Sequence, residues 1–299
     1  MAAKTPRKAA ESNAPVRAER QAALPLDDDL LRQRLQRHLQ FLGMTHTLAH
    51  LDDLLQWISE QRPGHTALLE HVLGGEVAAK TDNRIARRIQ VSGLVESRTL
   101  EGFDFLFQPS LDKNFILEVG RLDFVRRRQD LLITGKPGTG KSHILKAYGL
   151  RACQQAVRMR FARCVDLIDD LHAGLADGSY LKRLKGWASP DLLIIDDVGL
   201  GQVRKSDDEP TAAHTLYNLV DRRHGKRSTA ITSNIKLSEW GRYLGDATVT
   251  AAVLDRLVMN AIRIDINGPS YRQHLAAAMS ASAPLDLEPE QSSTQPRGT

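Results

Sequence analysis

The fold of this chain is decided by the stretch Leu131-Leu-Ile-Thr-Gly-Lys-Pro-Gly-Thr-Gly-Lys-Ser142. Its first four residues are apolar or β-branched and predict a short buried strand. Gly135 and the run Gly140-Lys-Ser142 then match the spacing G-x-x-x-x-G-K-[ST], which is typical of a loop that surrounds phosphate groups. The residues that follow have helical periodicity, so the positive end of a helix dipole faces the same anion. The stretch predicts a phosphate-binding loop for a nucleoside triphosphate.

Every position in this loop is a candidate contact for the nucleotide. Glycine has no Cβ, so backbone N–H groups can approach phosphate oxygens closely. Lys141 is expected to reach the β- and γ-phosphates and to act in catalysis, and the Ser142 hydroxyl is expected to ligate Mg²⁺. The predicted nucleotide contacts in the loop are Gly135, Lys136, Pro137, Gly138, Thr139, Gly140, Lys141, Ser142 and His143.

Two later segments supply polar groups for the same site. The run 191–197, Asp-Leu-Leu-Ile-Ile-Asp-Asp, predicts a strand that is buried on both faces and ends in two carboxylates. Ligands bind at the carboxyl ends of strands in open parallel sheets. Asp196 is therefore expected to hold Mg²⁺ through water, and Asp197 to orient or deprotonate the attacking water. Asn234 follows a predicted strand over 228–233 and is expected to reach between the γ-phosphate and that water.

Composition narrows the class of protein. The 299 residues carry a formal net charge of +5, which favours a polyanionic partner without deciding it. No apolar run approaches the ~20 residues of a membrane span, and the N-terminus lacks the apolar core of a signal peptide. A cytoplasmic protein is expected. The two cysteines are too few for a zinc site and fit a reducing compartment.

The chain is predicted to have four regions. Residues 1–26 and 280–299 have the composition of disordered tails. Residues 27–100 predict a helical N-terminal domain, because leucines recur with helical spacing. This domain is expected to bind DNA or a partner. Residues 101–279 predict the nucleotide-binding domain, and the alternating phenylalanines at its start are expected to pin the linker to an apolar surface. The charged segment 202–210 is interpreted as a loop without an assigned role.

Two clusters of cations are candidate DNA contacts. Basic side chains with nearby aromatic rings suit contacts to phosphates and bases. A solvated helix face, or an amphipathic helix with a buried Trp187, is the alternative in each case. The candidate residues are Arg84, Arg87 and Arg88 in the helical domain and Lys182, Arg183 and Lys185 in the nucleotide domain.

From about Leu30 to Arg272 the chain resembles the IstB family of AAA+ ATPases, which insertion sequences encode beside their transposase. The family is also similar to the bacterial helicase loader DnaC. Besides the phosphate-binding loop, the matching motifs are Phe103-Asp-Phe105, Gln108-Pro-Ser-Leu-Asp112, Leu192-Leu-Ile-Ile-Asp-Asp-Val-Gly199, Thr232-Ser-Asn234, Ser238-Glu-Trp240, Leu254-Asp-Arg-Leu257 and Gly268-Pro-Ser-Tyr-Arg272.

The resemblance implies an α/β AAA+ core, a five-stranded parallel sheet between helices, with a small helical N-terminal domain. It implies ATP and Mg²⁺ as cofactors, a homo-oligomer assembled on double-stranded DNA, and a cognate transposase as partner. Arg256 resembles the arginine finger that reaches a neighbour's γ-phosphate, and Arg272 takes the place of the second sensor. One departure stands out: many AAA+ ATPases have Glu where this chain has Asp197, so hydrolysis is expected to be slow.

Three other functions are compatible with these motifs. A helicase loader would share the fold, and a pull-down with transposase against helicase would separate the two. An ATP-gated DNA clamp that barely hydrolyses would be revealed by a turnover assay. A small-molecule kinase would use the same loop but gives no reason for Asp255-Arg256.

Overall fold

The computed structural model describes residues 27–201 and 210–281, with the side chains of the last helix described as far as residue 277. The predicted tail 1–26, residues 282–299 of the second predicted tail and most of the predicted loop at 202–210 lie outside the described residues. Residues 280 and 281, which were predicted to begin the second tail, are helical and end the last helix. The chain divides into two compact units, Met1–Thr81 and Asp82–Thr299. The functional boundary predicted after residue 100 stays a prediction. None of the helices in the described ranges is long and apolar enough to cross a membrane.

The first unit is helical. Residues 45–61 form two helices, because the backbone leaves the helical region at His50. The leucine face of the first helix is less buried than its spacing suggests, since Leu39 is buried whereas Leu30, Leu31 and Leu42 are exposed. The helices are α1 (Asp28–Phe41), α2 (Thr45–Ala49), α3 (Leu51–Gln61) and α4 (His65–Ser92), the last of which continues past the division between the units.

The second unit is built on a five-stranded parallel sheet, as the family resemblance implied. The strands pair in the order β2-β3-β4-β1-β5, so β1 lies between β4 and β5. The strands are β1 (Asp130–Gly135), β2 (Met159–Arg163), β3 (Leu192–Val198), β4 (Ser228–Ser233) and β5 (Ala261–Ile266). Because all five run in the same direction, their carboxyl ends meet at one edge of the sheet.

Helices cover both faces of this sheet. Successive residues of a strand point to opposite faces, and Leu131 and Ile133 accordingly join one hydrophobic cluster while Leu132 joins another. Trp240 and Leu257 pack in the cluster of Leu132. The helices are α5 (Lys113–Val119), α6 (Asp123–Arg126), α7 (Lys141–Gln154), α8 (Cys164–Ala176), α9 (Tyr180–Ala188), α10 (Ala212–Arg223), α11 (Trp240–Leu244), α12 (Ala247–Val258) and α13 (Tyr271–Ala281).

The segment before the first core strand differs from its strand-like pattern. Residues 101–111 form turns and bends instead of a strand. Phe103 and Phe105 still pack against the cluster that contains Leu131, with their ring centroids 4.8 Å apart. The alternation of phenylalanines along the linker therefore predicted their packing correctly, although the residues form no strand.

Candidate nucleotide-binding site

A cavity of about 330 Å³ opens where the carboxyl ends of the strands meet the phosphate-binding loop. Five separate segments of the chain line it. These are the linker before β1, the loop from Gly138 into α7, the ends of β3 and β4, and the start of α13. The fold thus brings together residues that lie far apart in sequence, including Asp197, Asn234 and Arg272.

The loop itself is held in place by residues that its motif does not contain. Gly138 and Gly140 have φ angles of +83° and +98°, which side chains other than glycine rarely adopt. A Cβ at Gly138 would overlap the Ser270 hydroxyl, and one at Gly140 would lie 2.5 Å from the Phe103 ring. The backbone N–H of Tyr271 also donates to the Gly138 carbonyl at 2.9 Å. The linker and the start of α13 therefore fix the shape of the phosphate cradle.

Most of the predicted loop contacts line the cavity. Gly138 to His143 do so, whereas Gly135, Lys136 and Pro137 do not appear among the lining residues. Lys136 and Pro137 are exposed at the tip of the loop. His143 faces the linker, where its Nε2 pairs with the Thr99 carbonyl at 2.8 Å. The nucleotide-facing part of the loop is therefore its second half, where α7 begins.

Lys141 is buried at the start of α7. Its Nζ donates to the carbonyl of Lys136 at 2.7 Å, so the ammonium lies within its own loop. Burial lowers the pKa of Lys141 to about 8, although the nearby carboxylates of Asp197 and Asp196 act against this change. The Arg272 guanidinium adds to the lowering. A buried cation of this kind fits a triphosphate, whose charge would favour the protonated lysine.

The pKa of Lys141 predicts how ATP affinity depends on pH. Binding uses the protonated ammonium, and a lowered pKa means that the proton is lost at a lower pH than usual. Affinity is therefore expected to stay level below pH 8 and to fall above it, by up to about tenfold per pH unit for one linked proton. Dissociation constants for a non-hydrolysable ATP analogue between pH 7.5 and about 10 would measure this.

Lys141→Arg is the matched control for that titration, because guanidinium stays charged throughout the range. Its affinity is expected to show no step near pH 8, whatever its absolute value. A wild-type affinity that remained constant up to pH 10 would contradict the assignment of Lys141 as the phosphate-binding cation.

Asp196 is buried beside the loop and shares its Oδ1 between two hydroxyl groups. Ser142 Oγ donates to this atom at 2.9 Å, and Thr232 Oγ1 donates to the same oxygen. Burial raises the pKa of Asp196, and the negative charge of Asp197 adds to the rise, while both hydroxyl donors oppose it. A positive charge near Asp196 would therefore stabilise its ionised form.

This pair of oxygen groups fits Mg²⁺. Magnesium prefers oxygen ligands and usually keeps several waters and substrate phosphates in its shell. Within the described ranges no cluster of three or more His, Cys, Asp or Glu side chains could hold a metal. The assignment of Ser142 and Asp196 as Mg²⁺ ligands stays a prediction, and their bonded oxygen atoms are consistent with it.

Asp197 has a strained backbone at the end of β3. Its φ is +62°, in the left-handed region that Asp tolerates better than most residues. The register between β3 and β4 shifts between Ile195 and Val198, so Asp197 leaves the regular ladder. Its Oδ1 accepts a hydrogen bond from Asn234 Nδ2 at 3.0 Å. Two residues predicted to act on the attacking water are therefore in direct contact.

Thr232 organises both carboxylates, and its motif did not indicate this role. Its Oγ1 accepts from the backbone N–H of Asp197 at 2.8 Å and donates to Asp196. One hydroxyl of β4 thus fixes the positions of two neighbouring residues of β3. A buried polar residue near the end of an otherwise apolar strand is the signal that could have identified it.

The two predicted arginines lie in different places. Arg272, at the start of α13, lines the cavity. Arg256 on α12 is absent from the lining, and its guanidinium donates to Asp221 at 2.9 Å and to the Tyr217 hydroxyl at 2.8 Å. It also lies over the Tyr217 ring, 4.6 Å from the centroid. Arg256 is therefore separate from the phosphate site of its own chain.

The candidate DNA contacts around α9 do not form one cationic surface. Arg183 donates to Asp170 at 2.5 Å and to Asp177 at 2.8 Å, so its charge is neutralised within the fold. Trp187 is buried and donates from Nε1 to Asp170. Arg183 is therefore a poor candidate for a phosphate contact, and the alternative of an amphipathic helix with a buried tryptophan describes α9 correctly. Lys182 and Lys185 are exposed.

The arginines of α4 also divide into two kinds. Arg84 and Arg87 are exposed, whereas Arg88 is half-buried and donates to the carbonyl of Cys153 at 3.3 Å. That bond ties the end of α4 to the end of α7. Arg84 and Arg87 remain candidates for a polyanionic partner, and Arg88 is better explained by its contact inside the second unit.

Comparison with known proteins agrees with this site. Residues 37–278 match the family model described as IstB-like ATP binding protein. The chain is 29% identical to the putative ATP-binding protein of insertion sequence IS5376 from Geobacillus stearothermophilus, over 81% of this chain and 94% of that protein. It is 30% identical to the corresponding protein of IS21 from Pseudomonas aeruginosa, over 78% of this chain and 86% of that one.

Solved structures with weaker similarity include AMPPCP-bound DnaA from Aquifex aeolicus, with 19% identity and a TM-score of 0.47 over 66% of this chain and 58% of that one. Another is the DnaC helicase loader, with 25% identity and a TM-score of 0.40 over 52% and 89%. The family match covers most of the chain, including the linker, the phosphate-binding loop and α12. On that evidence, the chain belongs to the family of IstB-like ATP-binding proteins encoded by insertion sequences.

Proposed function

We propose that this protein is an ATPase that assembles as a homo-oligomer on double-stranded DNA and assists the transposase of its insertion sequence in choosing target DNA. The placement of Arg256 is the observation that supports this most directly. The cavity is lined by Lys141, Asp197, Asn234 and Arg272, and the buried Asp196 is bonded to Ser142 of the same lining. Arg256 is outside it, half-exposed on α12, where it can serve the cavity of a neighbouring copy.

Each group in the cavity has a role in hydrolysis. The backbone of the loop and Lys141 would bind the β- and γ-phosphates, and Ser142 and Asp196 would hold Mg²⁺, which neutralises phosphate charge when bound. Asp197 and Asn234 would orient the attacking water, and Asp197 can take its proton. Arg256 of a neighbouring subunit would stabilise the charge of the transition state, which couples turnover to assembly.

The proposed partners follow from the relatives and from charge. Relatives of this chain are named as ATP-binding proteins of insertion sequences, which need a transposase acting on DNA. The net charge of +5 and the exposed residues Arg84, Arg87, Lys182 and Lys185 favour binding to a polyanion.

Steady-state ATP hydrolysis with and without duplex DNA tests the proposal, with Lys141→Ala as the blank. Turnover that rises with DNA and vanishes in the variant would support a DNA-dependent ATPase. A pull-down with the transposase and with a replicative helicase would then identify the partner. Turnover that is independent of DNA, together with capture of the helicase alone, would contradict the proposal.

One observation favours a second function, an ATP-gated clamp with little hydrolysis. Asp197 is one methylene shorter than glutamate, and its Oδ1 is already engaged by Asn234. Tight binding of ATP and DNA with no turnover above the blank would indicate the clamp. Asp197→Glu would then be expected to raise turnover, because a longer carboxylate reaches the water directly.

DNA affinity is expected to depend steeply on salt. A protein that neutralises several phosphates releases counterions, so affinity should fall about 10³-fold or more between about 50 and 200 mM salt. Two double variants test where the DNA runs: Lys182→Ala with Lys185→Ala, and Arg84→Ala with Arg87→Ala. If the DNA contacts the substituted pair, the slope of log affinity against log salt concentration should become less steep by about one for each lost contact. An affinity that did not change with salt would defeat the DNA-binding proposal.

A further inference from the structure

The turn that follows β4 carries Asn234, and one buried serine holds the backbone of this turn. Ser233 is the last residue of β4, and its Oγ donates to the carbonyl of Ile235 at 2.7 Å. The backbone N–H of Asn234 donates to the carbonyl of Val198 at 2.9 Å. With its backbone held in this way, Asn234 presents its amide to Asp197, where Nδ2 donates to Oδ1 at 3.0 Å.

Trp240, the first residue of α11, completes the hydrogen bonding of this serine. Trp240 is 0% exposed, and its Nε1 donates to Ser233 Oγ at 3.0 Å. A hydroxyl has one proton to donate and two lone pairs to offer. Because the proton goes to Ile235, the indole N–H occupies a lone pair and fixes the direction of the hydroxyl. The indole packs in the same hydrophobic cluster as Val198 and Leu257, which holds the donor in place.

Other side chains around α11 contact the turns that follow β3 and β4. Glu239 Oε2 accepts a hydrogen bond from the backbone N–H of Lys236 at 3.2 Å, in the turn after β4. The Tyr243 hydroxyl donates to the carbonyl of Leu200 at 3.0 Å, in the turn after β3. The motif Ser238-Glu-Trp240 and the helix that it begins therefore support the two strand ends that carry the polar groups of the site, although the motif does not line the cavity.

We propose that Trp240 is a positioning residue for ATP hydrolysis, which acts through Ser233 to hold the Asn234 amide against Asp197 and beside the attacking water. Trp240 is fully buried, so it contacts neither the nucleotide nor the water. Without the indole N–H, the Ser233 hydroxyl is free to rotate and the turn that carries Asn234 is held less tightly. The chemical step then slows while ATP binding stays nearly unchanged, because Asn234 acts on the attacking water. The inference rests on the proposed function, because it requires the site to hydrolyse ATP.

Two variants of the full-length protein remove this hydrogen bond from opposite sides. Trp240→Phe removes the donor and keeps an aromatic ring in the cluster. Ser233→Ala removes the acceptor and leaves much less empty space, so it tests the same bond if the larger change prevents folding. Each variant is expected to lower kcat at saturating ATP and duplex DNA by about tenfold, since a misplacement of about 1 Å can cost about a hundredfold. The dissociation constant of a non-hydrolysable ATP analogue should stay close to the wild-type value.

Trp187→Phe is the matched control for loss of an indole donor. Trp187 is buried in the same hydrophobic cluster as Trp240, and its Nε1 also donates to a side chain, in this case Asp170 at 2.7 Å. Neither Trp187 nor Asp170 lines the cavity. The control variant is expected to lower the melting temperature, as Trp240→Phe does, while its kcat stays close to wild type.

A double-mutant cycle with Asn234→Ala tests whether Trp240 acts through Asn234. Asn234→Ala alone should lower kcat at least as much as Trp240→Phe does. In the Asn234→Ala background, Trp240→Phe is expected to lower kcat no further, because no amide is left to position. A residue that only stabilises the fold would show no such dependence on Asn234.

The possible failures are distinct. A wild-type kcat in folded Trp240→Phe or in Ser233→Ala would overturn the inference while leaving the ATPase intact. A loss of kcat that is equally large in the Asn234→Ala background, or in Trp187→Phe, would show that Trp240 acts only through packing and would overturn the inference as well. Absence of ATP hydrolysis by the wild-type protein would overturn the proposed function and the inference together.

Discussion

Replacing Arg256 with alanine is expected to lower ATP turnover by about 10³-fold or more while ATP affinity stays nearly unchanged. Arg256 lies outside the cavity of its own chain, so its removal leaves all the cavity contacts to the nucleotide in place. A neighbour's site would lose the guanidinium that stabilises charge in the transition state. Hydrolysis rates and equilibrium binding of a non-hydrolysable ATP analogue, measured on the same preparation, would show the split.

Mixing two inactive variants tests whether Arg256 acts between subunits. Arg256→Ala keeps an intact phosphate-binding loop, and Lys141→Ala keeps an intact Arg256. Adjacent subunits of the two kinds would form complete sites, so the mixture is expected to regain part of the wild-type activity. The exposed Arg242 on the neighbouring helix α11 provides the matched control, because Arg242→Ala should leave turnover close to wild type.

Two outcomes would show that Arg256 has a different role. Loss of ATP binding in Arg256→Ala would mean that the residue acts within its own chain. Its bonds to Asp221 and Tyr217 would then stabilise the fold around the nucleotide site. A mixture with no recovered activity, under conditions where the variants form mixed oligomers, would contradict action between subunits.

The second large effect is expected from Lys141→Ala, which should reduce kcat/KM for ATP by at least about 10²-fold. A hydrogen bond to a charged group contributes about 1.5–3 kcal/mol, and Lys141 is expected to bind two phosphate groups. The change removes the buried cation of the loop, which donates a hydrogen bond to the Lys136 carbonyl and whose burial opposes its charged form. Stability should therefore fall little, and a thermal melt beside the kinetic assay would establish this.

Lys136→Ala is the control for that experiment. Lys136 belongs to the same loop but is exposed, and it does not line the cavity. Its replacement should leave kcat/KM within a few-fold of wild type, which would separate loss of a specific contact from a general loss of positive charge. Retention of ATP affinity and turnover in Lys141→Ala would contradict the whole assignment of the site.

Local patterns predicted the elements that carry the site. The phosphate-binding loop, the buried strand that ends in Asp196 and Asp197, and the strand before Asn234 each have a signature within a few residues. Parallel strands place their carboxyl ends at one edge, so the meeting of these groups could be expected from the sequence. Asp197 and Asn234 are in contact, and Ser142 bonds Asp196, as that reasoning requires.

Side-chain contacts between neighbouring elements could not be predicted in this way. The neutralisation of Arg183 by Asp170 and Asp177 made a candidate DNA contact into a structural residue. The exposed leucines of α1 have the same helical spacing as buried ones, because periodicity reports that a face is apolar and leaves open what covers it. Each of these outcomes depends on which side chains the fold places nearby.

The sequence alone determined the family, the parallel α/β core and the residues at the phosphate end of the site, because these follow from short-range spacing and strand direction. Only the tertiary structure decided that Thr232 joins both carboxylates, that Arg256 is outside its own cavity, and that Trp240 donates a hydrogen bond to Ser233. Hydrogen-bond roles are set by distances of about 3 Å between atoms, and a linear pattern does not contain them.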